Sequence, residues 1–155
     1  GPARLANALA RLVRSRYRLL AFQSDPTAIN RVDAAVARPV EDDAITDEIL
    51  EIGVVQGTVL PQLGMPVRKS GRTTGLTSGE ITVLDATVSI SYGEQREARF
   101  ENQIVTGAMS QGGDSGSLLV AGDPPSAVGL LFGGSLYATI HNPIQAVLDA
   151  LEVDI

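Results

Sequence analysis

Cysteine is absent from these 155 residues, which excludes disulfides and thiolate chemistry. Tryptophan is absent as well, aromatic residues make up only 4% of the chain, and histidine occurs once, as His141. A histidine-rich zinc site is thereby excluded, and no metal or other cofactor is expected. No apolar run approaches the length of a membrane span or of a signal-peptide core, so no membrane partner is expected. The compartment is left open. Positive charge is scarce: 12 Lys and Arg stand against 18 Asp and Glu, a net charge of −6. Such a chain repels polyanions, which argues against nucleic acid as its main partner.

What is present is 44% hydrophobic content, enough for one ordinary core or two small ones that share an interface. Residues 3–20 carry Leu5, Leu9, Leu12, Val13, Leu19 and Leu20 at helical spacing with arginines largely on other faces, and predict an amphipathic helix that stops before Ser24-Asp25-Pro26. Its arginines read as a solvated face. The run from Asn30 to Pro39 predicts a short apolar strand with one carboxylate, Asp33, at its mouth. By itself Asp33 reads either as a turn cap or as a buried carboxylate that orients an imidazole. Residues 41–51 hold six acidic side chains and no basic one, without the spacing of a calcium loop, and read as a solvated loop.

From Gly64 onward the pattern is six strands separated by glycine turns: 65–71, a long alternating run at 79–92, then 99–106, 117–121, 127–134 and 136–140. Even spacing of this kind predicts a closed antiparallel barrel. Ile144, Val147, Leu148 and Leu151 then mark a closing helix.

One stretch carries chemistry. Gln111-Gly112-Gly113-Asp114-Ser115-Gly116-Ser117 delivers a serine into the apolar strand 117–121. Glycines beside a serine let two peptide N–H groups converge next to its hydroxyl, and such a pair can hold an oxyanion. A plain surface turn is the competing reading.

Taken together, Gly113-Asp114-Ser115-Gly116, Asn30-Arg31-Val32-Asp33-Ala34-Ala35 and Gly71-Arg72-Thr73-Thr74-Gly75-Leu76-Thr77-Ser78-Gly79, in their order, resemble the trypsin-like (chymotrypsin-fold) serine peptidases, most closely the bacterial branch without disulfides. The resemblance covers most of residues 30–151. It implies an all-β fold with terminal helices. Residues 1–62 would be the N-terminal helix and a remnant of a first barrel, and residues 63–155 a nearly complete second barrel with its closing helix. It also implies Ser115 as nucleophile, Asp33 as the triad carboxylate, and the N–H groups of Gly113 and Ser115 as the oxyanion hole. Asp114 would shape the turn. Leu131, Phe132, Gly133 and Gly134 would be the strand along which a peptide or protein substrate pairs. Met109, Gly133, Gly134 and Ala138 would line the pocket for the residue before the scissile bond, which suits small or medium apolar side chains.

The departure is the base. That family's histidine precedes its aspartate, and no histidine precedes Asp33 here. His141 follows the last strand and reads as a loop or core residue. Ser115, Asp123 and His141 do fall in the α/β-hydrolase order, but the elbow needs a glycine where Ser117 stands, and too little chain follows the serine. The expectation is a C-terminal part of a peptidase, nearly inert alone, whose histidine lies on an N-terminal segment that pairs with residues 28–62. A symmetry mate is the other candidate to cover those residues. A pseudopeptidase that binds peptides or proteins in its groove is the alternative, and a structural interaction domain docking through the basic helix is a third.

Overall fold

The computed structural model describes residues 28–93 and 97–155; the helix expected at 3–20 lies outside them. Three short strands come first: β1 (Ile29–Asn30), β2 (Glu48–Ile49) and β3 (Gly53–Val54), with a single 3-10 turn at Asp42–Ala44. Six longer ones follow: β4 (Pro66–Gly71), β5 (Gly75–Ser91), β6 (Glu97–Gly107), β7 (Leu118–Ala121), β8 (Ser126–Gly134) and β9 (Ala138–Pro143). Helix α1 (Ile144–Leu151) follows directly.

The six longer strands form a ring. Each pairs antiparallel with its neighbours in the order β6-β5-β4-β7-β8-β9, and β9 returns to β6 through Ile104–His141 and Val105–Ile140. The weakest join is β4 to β7, a single pair, Arg68–Val120. Alternation explains the interior, because residues two apart share a face. Val67, Ile81, Ile104, Leu119 and Val128 are buried there with Met109 and Ala121. Strand β5 is long enough to serve both neighbours because it bends: its register against β6 shifts at three places, and Asp85 there takes a φ of 52°.

A second apolar cluster lies under α1. Ile144 and Val147, with Leu148 and Leu151, pack on Ala127, Leu118 and Leu130, and the same cluster takes in Val32, Ala34 and Val55. This contact ties the first part of the chain to the ring. The expected strand over residues 30–39 is not formed. Only Ile29 and Asn30 pair, in parallel with Arg99 and Phe100 of β6, and residues 31–39 run irregularly. Val32 and Ala34 are claimed by the apolar cluster on the helix, which overrides their local preference for extended pairing. The turn expected over residues 71–79 is shorter than the sequence suggests, since Gly71 already pairs with Gly75. Leu136 is also outside its expected strand; β9 begins at Ala138.

Candidate active site

The turn that carries Ser115 is built around the side chain before it. Asp114 is 1% exposed, and its carboxylate accepts from the Thr73 amide at 2.7 Å, the Thr74 amide at 3.2 Å, the Thr74 hydroxyl at 2.7 Å and the Gln111 amide at 3.0 Å. Lys69, fully buried, completes the set with its Nζ 3.3 Å from Oδ2. Burial alone pushes a carboxyl pKa up, yet the donors from Gln111, Thr74 and Thr73 outweigh it and hold Asp114 well below the usual carboxylate range. The 72–74 turn and the serine turn are thus fastened to one ion.

Fastening Asp114 inward turns its neighbour outward. Ser115 is exposed and lines a cleft of about 520 Å³ with Ser110, Gln111, Gly112, Leu131, Gly133, Gly134, Ser135 and Leu136, none of them charged. The Asp114 and Gly116 amides are used, by the carbonyls of Gln111 and Leu131. The Gly113 and Ser115 amides have no partner among the described residues. Gly113 sits at φ +102°, and a Cβ there would lie 2.6 Å from Thr73 Oγ1, so the turn admits only glycine. An exposed hydroxyl beside two unused amides on a rigid turn has the composition of an acyl-transfer site.

Comparison with known proteins finds relatives of this chain. No family model matches. Streptogrisin-D of Streptomyces griseus is 35% identical over 122 residues, 77% of this chain and 26% of its own length. Glutamyl endopeptidase 2 of the same organism is 36% identical over 98 residues, 60% of this chain and 48% of its own. In structure, a chymotrypsin of Cellulomonas bogoriensis superposes with a TM-score of 0.55 at 33% identity, over 64% of this chain and 55% of that one. Its homologues are bacterial trypsin-like serine peptidases of the chymotrypsin fold. The chain spans between 26% and 48% of the length of the curated relatives it matches.

Within this peptidase fold the other expected site residues fall unevenly. Leu131, Gly133 and Gly134 line the cleft beside Ser115. Met109 does not: it is 5% exposed, packed in the ring core, and its amide donates to Thr139 Oγ1. Ser110, one residue on, occupies the lining instead, and its Oγ lies 3.0 Å from Thr139 Oγ1. Phe132 points away from the cleft onto Phe100, with ring centroids 5.0 Å apart. Ala138 is absent from the lining and pairs with Gly107.

Asp33 is half-buried. Its amide donates to Asn142 Oδ1, its carbonyl accepts from Asn142 Nδ2, and its carboxylate accepts from the Tyr92 hydroxyl. Asn142 pairs with Leu130 on one side of β8, while Gly116 bonds to Leu131 on the other. Asp33, through Asn142, and Ser115, through its neighbour Gly116, are thus tied to adjacent residues of β8, Leu130 and Leu131.

His141 is sealed inside the ring. Its Nε2 lies 3.1 Å from Thr106 Oγ1, whose own proton goes to the Gly107 carbonyl, so the neutral ring donates from Nε2 and leaves Nδ1 unpartnered among the described residues. Burial, reinforced by the Lys69 charge, pushes its pKa down to about 3. It is a core residue, and Asp123, exposed at another cleft, completes no triad with it. Because the folded state resists protonating this ring, stability is full above the unfolded pKa of about 6.5 and falls as pH drops from there toward 3. The expected slope in urea melts is up to about 1.4 kcal/mol per pH unit. His141→Gln should flatten it above about pH 5, where paired carboxylates such as Asp114 have not begun to titrate; an unchanged slope there would mean that the folded state does not resist protonating His141.

Lys69, Thr73, Thr74, Asn142 and Tyr92 are the site residues that sequence reading passed over. Lys69 did leave a signal, since it stands two residues after the inward Val67 in an alternating strand, where a lysine requires a buried partner.

Proposed function

We propose that this chain carries the nucleophile half of a serine endopeptidase. The observation that carries this reading is the serine turn itself: an exposed Ser115 on a loop anchored through buried Asp114, with two amides unpartnered among the described residues and an uncharged cleft beside it. Ser115 Oγ attacks the scissile carbonyl carbon, and the carbonyl oxygen takes the negative charge against the Gly113 and Ser115 N–H groups. An imidazole takes the serine proton and passes it to the leaving amine, leaving an acyl-enzyme that water then cleaves. Asp33 holds that imidazole and stabilises it once charged. His141 is buried with its proton committed to Thr106, so the imidazole comes from a segment outside this sequence. Residues 28–62 are then what the chain contributes to a first barrel, and their exposed Ile29, Val36, Val40, Ile45 and Leu50 are the surface that segment covers.

Substrate backbone adds along β8. Strand β7 begins at Leu118, paired with Leu130, while β8 runs on to Gly134, so the edge of Phe132–Gly134 on that side is unpaired among the described residues. An extended peptide fits such an edge. The cleft lining holds no charge, and cleavage should follow uncharged, mainly apolar residues. Arg, Lys or Glu before the scissile bond would give faster turnover only if the cleft assignment were wrong.

The test is acylation. The chain alone should react slowly with a fluorophosphonate, and adding the imidazole-bearing segment should accelerate labelling at Ser115 by orders of magnitude and restore peptide hydrolysis. Peptide binding in the cleft with no labelling in either state would favour a pseudopeptidase instead.

A further inference from the structure

Asp33 is held at three points. Two belong to its backbone, which exchanges hydrogen bonds of 3.0 and 2.9 Å with the fully buried Asn142 side chain, while Val32 and Ala34 pack under α1 on either side. These fix where the residue sits. They leave the carboxylate free to turn, since the terminal torsion of aspartate is broad and roughly two-fold. The third point is the Tyr92 hydroxyl, the one donor to this carboxylate among the described residues; it engages Oδ2 and leaves Oδ1 without a partner. Tyr92 follows the last residue of β5 and precedes Gly93 at φ +98°, and its exposure is 49%, so the ring is half covered.

We infer that Tyr92 is a positioning residue for the triad carboxylate: its hydroxyl fixes Oδ2 so that Oδ1 faces the N–H of the imidazole. This rests on the peptidase reading above. A carboxylate holding an imidazole must present one oxygen steadily, and a donor on the other oxygen stops the group from rotating. The donor here is neutral, so it orients the ion without cancelling its charge. Burial, the hydrogen bond to Asp33 and the Asp33 charge all raise the Tyr92 phenol pKa.

Two measurements test it. In the chain alone, tyrosinate absorbance followed upward in pH should show one phenol ionising at lower pH in Asp33→Ala, which removes both the acceptor and the charge, than in wild type, and that difference should vanish in a Tyr92→Phe background. In the peptidase assembled with its imidazole-bearing segment, Tyr92→Phe should lower kcat about tenfold with KM and Tm unchanged, and should cause no further loss once Asp33 is Asn. Phenol titrations that coincide in wild type and Asp33→Ala overturn the contact. An unchanged kcat overturns the role, and a raised kcat would show that the phenol obstructs the imidazole's place. If the assembled wild type never acylates at Ser115, the peptidase reading falls and takes the positioning role with it, even where the phenol titration shows the contact intact.

Discussion

Lys69→Met is expected to destabilise the chain by roughly 3–5 kcal/mol, the usual cost of stranding one member of a buried ion pair. Both side chains are fully buried, and the Lys69 Nζ also donates to the Gly75 carbonyl at 3.3 Å and contacts the Thr74 hydroxyl. Asp114→Asn should be about as harmful for a different reason. A carboxamide offers one acceptor oxygen where a lysine, three amides and a hydroxyl converge, and it turns an N–H₂ toward donors. An isosteric apolar pair should not rescue the loop, because the amides of Gln111, Thr73 and Thr74 would lose their acceptor. The contrast is Arg99–Glu101 at 3.1 Å, with the arginine side chain 56% exposed, where Arg99→Ala should change stability by no more than about 1 kcal/mol. Urea melts of the three variants check the ranking. Lys69→Met indistinguishable from Arg99→Ala would mean that Asp114 is sustained by its hydrogen bonds alone.

The second large effect is on rate. In the peptidase supplied with its imidazole, Ser115→Ala should abolish acylation, because it removes the exposed hydroxyl that the serine turn presents to the cleft. Asp33→Asn should leave the protein folded and reduce turnover by roughly four orders of magnitude, through loss of imidazole orientation and charge stabilisation. Stability separates this role from a structural one. The asparagine keeps the backbone exchange with Asn142 and an acceptor for Tyr92, so the chain alone should melt within about 1 kcal/mol of wild type. A much larger loss in thermal melts would make Asp33 a turn-closing residue and remove it from the triad.

The residues that the sequence identified are those whose function depends on near neighbours in the chain. Gly113 and Gly116 flank Ser115, and a turn of that composition declares its backbone geometry locally. Strands β4 to β8 show as alternation, and α1 as the spacing of Ile144, Val147, Leu148 and Leu151, because periodicity reports which face is apolar. The closing of six strands into a ring followed from their even spacing.

Residues joined across long separations stayed hidden. Asp33 is placed by Asn142, 109 positions away, and its carboxylate by Tyr92, 59 positions away. Nothing in Val32-Asp33-Ala34 announces that the flanking residues prefer a helix face to a strand partner. Met109 lies just past the end of β6, where the two-residue period no longer says which side is inward, and the ring took the methionine and left Ser110 to the cleft. The three register shifts of β5 on β6 add to this, since each changes which residues face one another. Composition and local pattern settled the kind of fold and the serine turn. Which side chains surround that turn was decided by strand register and by burial, which exist only once the ring is assembled.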